Sequence, residues 1–332
     1  MRNIKIQNKL LIFILLSSLF IMPITVNAYT DKVILGGDNI GIEVNSKGVL
    51  VVGFYDIEGS SPGKEANLKV GDIITKIDET VINNITDLTK VKNNKSLNIT
   101  YLRNNKEYKT NINLIQDKKG VYKTGIYVKD KIIGIGTLTF IDPETMTFGA
   151  LGHEIIEKET KKRFEIKDGK IFKSNVTDII KSEKNKPGEK NATLANKNNK
   201  NNIYGQINKN EINGIYGKYQ KPIINKETID VANPEEIILG SATIKTVLKD
   251  NEIEEFKINI INKNNNNKTK NLLFEIVDEE LLSKTNGIIQ GMSGSPIIQN
   301  NKIVGAVTHM ILDNPKKGFG IYITNMLKEV EN

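Results

Sequence analysis

From residue 39 to residue 115 the chain alternates short apolar runs with turn signals: IGIEV, GVLVVGF, VGDIITKI, SLNITYL and TNINLI. Runs of this length, rich in Ile and Val and bounded by Gly, Asn and Asp, predict β-strands. Between them, residues 60–68 (SSPGKEANL) and 85–92 (ITDLTKVK) predict two short helices. Ser61 stands at the N-cap of the first with Pro62 in its first turn, and Thr86 or Asp87 begins the second. After a Lys-rich join at 116–123 the strand pattern resumes with GIYVKDKIIGIGTLTFI and recurs as far as Tyr322 and Ile323. Residues 183–210 and 262–270 are dominated by Asn and Lys, and predict long exposed loops on a β scaffold.

The first 28 residues follow a different pattern. Arg2, Lys5 and Lys9 precede an apolar run over 10–24, broken by Ser17, Ser18 and Pro23, and Val26-Asn27-Ala28 has small residues at both ends of a cleavage tripeptide. The run is shorter than the ~20 residues of a spanning helix, which favours a cleaved signal over a permanent N-terminal anchor. The protein is expected to be exported across the cytoplasmic membrane. For such a chain the absence of cysteine is informative: there is no disulfide framework, no thiolate nucleophile and no Cys-based metal site. Two histidines, His153 and His309, without an HExxH pattern, and the lack of a Gly-rich phosphate loop, give no expectation of a metal or cofactor.

A length of 332 residues predicts about two domains. With no Trp and 6% aromatics, the cores must be built mainly from Ile, Leu and Val. The net charge of +8 comes from Lys mixed with Asn throughout, without a basic stripe and interleaved aromatics. It reads as a solvated surface, and nucleic-acid binding is not expected.

The order of elements over residues 37–115 resembles a bacterial PDZ domain of the protease-associated kind, most specifically at 61–78 (SPGKEANLKVGDIITKID). The Gly71-Asp72 turn reverses the chain, and Ile73, Ile74 and Ile77 feed the core. Asn39-Ile40-Gly41-Ile42 stands where such domains carry a carboxylate-binding loop, a nest of successive backbone N–H groups. A bound peptide, ending in a free C-terminus or crossing as an internal segment, would add a strand beside residues 42–44 and lie against the 85–92 helix. Asn67 replaces the usual Gly, and Asn tolerates a left-handed backbone better than most residues.

The chemistry is expected in the C-terminal half. Gly291-Met292-Ser293-Gly294-Ser295-Pro296 places a serine between glycines at a turn entering the strand run IIQNNKIVGAVTH. The glycines let the backbone N–H groups of Gly291 and Ser293 point to one spot, an oxyanion hole. A serine nucleophile needs a base and a group to orient it. His153, in FGALGHE, lies on a glycine-punctuated turn and is preferred as base; His309 lies inside VGAVTHMIL, where a packed or groove-lining ring is expected. Asp142, Asp278 and Asp313 are candidates for the acid, and Asp278 is preferred because the run before it is apolar.

GVLVVG, GIGTLTFIDPET with FGALGH, and GIIQGMSGSPIIQNNKIVGAVTH together resemble the SpoIVB family of stage IV sporulation serine peptidases, over essentially the whole chain. The resemblance implies a mainly β protein: a PDZ domain (37–115) followed by a chymotrypsin-like double β-barrel peptidase domain (120–332). Its catalytic histidine, aspartate and serine fall on His153, Asp278 and Ser293. Met292 stands where trypsin-like enzymes put Asp, so activation by a new N-terminus is not expected. By the trypsin-like analogy Thr308 and His309 line the substrate groove. The family implies a forespore peptidase, exported to the space between two membranes, that cleaves itself and a membrane-associated regulatory protein and so triggers sigma-factor activation in the mother cell. The competing expectation is a catalytically idle PDZ scaffold that keeps the peptidase fold.

Overall fold

The β-branched runs form strands, and the strands are longer than their turn signals suggest. The computed structural model describes residues 29–331 apart from 92, 93 and 224–226, so the predicted export segment lies outside the described residues. The described part opens with β1 (Lys32–Leu35) and β2 (Asn39–Phe54). A single helical turn, α1 (Pro62–Glu65), leads to β3 (Ile73–Ile77) and β4 (Thr80–Val81). A 3-10 turn (Ile85–Lys90) precedes the hairpin β5 (Ser96–Arg103) and β6 (Lys106–Asn113). The short pair β7 (Ile115–Gln116) and β8 (Tyr122–Lys123) leads into β9 (Ile126–Ile141). Then come β10 (Thr147–Ala150), β11 (Ile166–Ile180), β12 (Gly188–Leu194), β13 (Ile203–Glu211), β14 (Gly214–Tyr219) and β15 (Thr228–Val231). The last third holds β16 (Gly240–Val247), β17 (Ile253–Lys263), β18 (Leu272–Ile276), α2 (Glu279–Thr285), β19 (Ile289–Gln290), β20 (Pro296–Gln299), β21 (Lys302–Ile311), β22 (Asn314–Tyr322) and α3 (Ile323–Glu331).

Two closed barrels emerge from the pairings. In the first, the order β2, β9, β10, β14, β13, β11 returns to β2, every neighbour antiparallel. In the second, β16, β17, β18, β22, β21, β20 returns to β16, also antiparallel. Closure removes the free edges that an open sheet would expose wherever the strands pair on both sides. Each barrel has its own core of mostly aliphatic side chains, Ile40, Leu138, Ile171 and Ile215 in the first and Ile244, Ile258, Ile297 and Val307 in the second. A third cluster joins the barrels: Met326 and Leu327 of α3 pack with Phe140, Tyr216, Ala306 and Ile321. The expected hairpin after the serine turn forms as β20 and β21, joined at Asn300 and Asn301, both at positive φ.

Between the barrel halves of β2 and β9 sits the PDZ domain, with its own core of Val49, Val51, Leu68, Ile74, Ile77, Leu97, Ile99 and Ile112. Asp72, buried in the predicted turn, accepts two hydrogen bonds from the Arg103 guanidinium at 2.7 and 2.6 Å and one from the Lys69 N–H. Asn67 takes φ 60°, the left-handed conformation its side chain tolerates. Both predicted helices are shorter than expected: Ser61 makes no side-chain cap to α1, and the 85–92 segment is a 3-10 turn capped reciprocally by Asn84 and Asp87.

Three sequence expectations need correction. The peptidase barrels do not begin near residue 120, because the first half of β2 is a barrel strand: residues 39–45 pair with β9 on one side and with β11 on the other. The PDZ domain is thus inserted into the first barrel. For the same reason Asn39, Ile40, Gly41 and Ile42 form no carboxylate-binding loop; they are buried in a strand flanked on both edges, so their backbone N–H groups belong to the sheet. The Asn/Lys-rich stretch 183–210 is not a loop throughout. It holds β12 and most of β13, and Gly188, Lys190 and Ile207 are buried within it.

Candidate active site

The serine turn connects β19 to β20. Met292 N–H donates to Ile289 (3.2 Å) and Ser295 N–H to Met292 (2.9 Å) within the turn, and Gly294 N–H donates to Val307 of β21 (2.8 Å); the N–H groups of Gly291 and Ser293 take part in none of these. β9 anchors the turn from the first barrel. Thr137 N–H donates to the Ser293 carbonyl at 3.0 Å, Thr137 Oγ1 to the Gly291 carbonyl at 2.8 Å, and Thr139 Oγ1 to the Gly294 carbonyl at 2.8 Å. Gly294 has φ 94°, and a Cβ there would lie 2.1 Å from the Thr137 carbonyl oxygen and 2.6 Å from the Leu151 nitrogen. The two barrels therefore touch backbone to backbone at this residue, and a side chain would force them apart.

Ser293 and Ser295 separate by burial. Ser295 is fully buried with an unpartnered hydroxyl, whereas Ser293 is half-buried and its Oγ donates to the Thr308 carbonyl at 3.0 Å. Thr308 in turn donates from Oγ1 to the Phe319 carbonyl. His153 arrives on the turn after β10. Gly152, at φ 70°, lies so close to Thr308 that an added Cβ would meet its methyl at 2.9 Å. His153 Nδ1–H donates to the Glu154 carbonyl at 2.8 Å, which leaves Nε2 as the acceptor. The rings of His153 and His309 stand with centroids 5.2 Å apart, tilted by 44°. Burial pushes the His153 pKa below its ordinary value of 6.5, against the opposing pull of the Glu154 carbonyl. Burial, followed by the nearby His153 and Lys270 charges, pulls His309 to about 4, and its Nδ1 is buried without a partner.

Ser293, His153, Thr308 and His309 are thus brought together, and the acid is not. Asp278 is the N-cap of α2: its carboxylate accepts from Leu281 N–H at 3.0 Å and from Lys257 N–H at 3.1 Å. Burial raises its pKa, but the N–H donors of Leu281, Lys257 and Glu280 outweigh this and hold it below the ordinary value. Asp142 closes the β9–β10 turn through Glu144 N–H and Thr145 Oγ1, and Asp313 is exposed in the β21–β22 turn. Among the described residues no carboxylate bonds to either imidazole; the group that orients His153 is a main-chain carbonyl.

Sequence reasoning missed three contributors. Thr137 and Thr139 were signalled by TLT inside an otherwise apolar strand, two hydroxyls on one face of β9. Lys190 carried no signal, lying in an Asn/Lys-rich stretch. Its stem packs under Gly291 and its Nζ donates to Thr246 Oγ1 at 2.8 Å. No cluster of three or more metal-ligating side chains occurs among the described residues.

Comparison with known proteins places the chain. The family model described as SpoIVB peptidase S55 matches residues 120–327, and a PDZ-domain model matches 39–114, its start falling on the strand shared with the first barrel. Among solved structures, the PDZ domain of the SdrC-like protein from Listeria monocytogenes is 27% identical, with 26% of this chain and 90% of that chain covered and a TM-score of 0.21. The active form of the Rv3671c protease from M. tuberculosis is 12% identical, with 60% of this chain and 73% of that chain covered and a TM-score of 0.32. No curated protein matches the chain.

Proposed function

Because the chain belongs to the SpoIVB peptidase S55 family, a serine peptidase family, we propose that Ser293 and His153 perform peptide-bond hydrolysis in an exported sporulation endopeptidase. Its targets in this reading are its own chain and a membrane-associated regulatory protein, cut in the space between the two forespore membranes to trigger sigma-factor activation in the mother cell. The PDZ domain supports recognition of peptide segments, with the protein's own N-terminal region or the tail of the regulatory target as ligand.

One observation carries the reading: a half-buried serine hydroxyl, two imidazoles and a glycine-flanked turn meet where the barrels touch. To react, Ser293 Oγ swings from the Thr308 carbonyl to His153 Nε2. Nε2 takes the hydroxyl proton as Oγ attacks the scissile carbonyl carbon, and the resulting oxyanion is met by the N–H groups of Gly291 and Ser293, worth several kcal/mol in a site of this kind. His153 then delivers the proton to the leaving amine, and water repeats the cycle on the acyl enzyme. The Glu154 carbonyl keeps Nδ1 protonated throughout, a tautomer-fixing task usually given to a carboxylate. Thr308 and His309 face the residues upstream of the cut.

A fluorophosphonate probe tests this on the full chain. Labelling mapped to Ser293, and lost in Ser293→Ala but kept in Ser295→Ala, is the expected result. Absence of labelling together with retained peptide binding would favour the idle scaffold.

A further inference from the structure

The contact that holds the serine turn also reveals an open strand edge. Thr137 directs both backbone groups away from β2: its N–H donates to the Ser293 carbonyl, and its C=O accepts from Leu151 N–H at 3.3 Å. In an antiparallel ladder the two backbone groups of a residue point to one side and alternate residues point to opposite sides. Ile135, Ile133 and Lys131 therefore turn their N–H and C=O groups toward the same edge as Thr137. Among the described residues no strand pairs with β9 on that edge below Leu138, where β10 begins; β1 lies on the opposite side, in line with β2, and meets only Phe140 and Ile141. Tyr127, Lys131, Ile133 and Gly134 are exposed along it.

The edge connects the two functional parts of the molecule. At its upper end, Ser293 already occupies the position of a neighbouring strand, opposite Thr137. At its lower end, β9 pairs with the PDZ half of β2 (Val51 with Val128, Phe54 with Ile126) and its Val128 packs in the PDZ core. There the 3-10 turn adjoins the same strand, Ile85 N–H donating to Asp130 Oδ2 at 2.9 Å. From Ile135 to Tyr127 the edge runs about 26 Å at ~3.3 Å per residue.

We propose that this edge of β9 docks the part of the substrate that follows the cut, as an added antiparallel strand running from Ser293 down to the PDZ domain. The proposal rests on the reading above, in which Ser293 is the nucleophile and Thr308 and His309 take the upstream residues; β21 then serves one half of the substrate and the first barrel the other. The occupant is an internal, extended segment of about nine residues, without need of a free C-terminus, and an acidic residue suits the position facing Lys131. Main-chain pairing supplies affinity here, so the PDZ domain measures distance from the cut as well as sequence.

Two measurements decide it. Ser293→Ala protein is mixed with β-casein, an unstructured chain that it cannot cut, and backbone hydrogen exchange is followed by mass spectrometry. Exchange over residues 127–135 should slow by about tenfold or more, and Ile133→Pro, which deletes an edge-facing N–H, should remove that protection. Protection absent from β9, or confined to the β21 side, overturns the proposal. For the active protein, kcat/KM on peptides sharing one cut site should rise about tenfold or more as the downstream tail grows to about nine residues. N-methylation of successive downstream amides should weaken cleavage at every second position. Dependence on upstream length alone overturns the proposal equally. A failure of the peptidase reading looks different, since Ser293 would then take no fluorophosphonate while the exchange measurement still reports on the edge.

Discussion

Lys190 offers the sharpest energetic test, because its cost to the fold can be worked out. It is 3% exposed, its one hydrogen bond goes to the neutral Thr246 hydroxyl, and burial pulls its pKa from 10.5 to about 7. The unfolded chain keeps the amine protonated up to its ordinary pKa, whereas the folded chain releases the proton from about 7 upward. Between these limits the unfolded state binds more protons, so stability rises with pH, by about 1.4 kcal/mol per pH unit. Relative to strongly alkaline solution, the fold is therefore weakened by about 5 kcal/mol near neutral pH, an upper bound that relaxation around the amine reduces. Lys190→Met keeps the stem under Gly291 and removes the titration. It also strips the buried Thr246 hydroxyl of its partner, at about 1–3 kcal/mol. The variant should be more stable than the wild type by about 2–4 kcal/mol near neutral pH, an advantage shrinking by about 1.4 kcal/mol for each pH unit above that. Urea unfolding of both proteins at about pH 7, 8 and 9 measures this. A stability difference that does not change with pH would show that the amine keeps its proton in the fold, and the argument would fail.

Gly294→Ala should leave overall β structure in circular dichroism but cut Ser293 labelling by about a hundredfold or more, because the new methyl displaces the turn from the Thr137 carbonyl. Asp278→Ala should cost about 1 kcal/mol in thermal unfolding through loss of the α2 cap, while Asp278→Asn, which still caps, should keep both stability and turnover. A large fall in kcat for Asp278→Asn at unchanged melting temperature would restore the acid role. Burial holds His153 below its ordinary 6.5, so the base form persists into mildly acid solution and the acid limb of the labelling rate should have its midpoint below pH 6.5. A midpoint above that value would mean that a carboxylate reaches the ring in solution.

The serine turn and the His153 turn were legible because both depend on glycines that local sequence displays. What places them together was not, since it lies in β9 and in contacts between residues more than a hundred positions apart. Asp278 shows how a local signal was outweighed. FEIVDEELLSKT reads as an apolar run that buries a carboxylate, yet the same letters spell an N-cap with acidic residues in the first helical turn, and the helix won. NIGIEVNSKGVLVVGF shows the opposite problem. Ser46, Lys47 and Gly48 look like a turn between two PDZ strands, but the chain passes straight through them, with the register against β9 slipping there. The Asn/Lys-rich stretches misled because composition hides strands that contribute few apolar side chains to a core, as in β12.

The insertion of the PDZ domain also bears on how the first barrel closes. Phe54 and Ile126 are cross-strand partners, so everything between them is a closed excursion from the first barrel. Bringing β2 to β9 through a disordered loop of that length would carry an entropic penalty growing with the logarithm of its length, before any barrel contact compensated for it. A folded PDZ domain removes most of that penalty, because its own core already holds Val51 and Val128 together. An inserted domain that folds first therefore lowers the entropic cost of closing the barrel around it. Damage to the PDZ core at Ile74 or Ile99 would then surface as slow or failed folding of the peptidase barrels themselves.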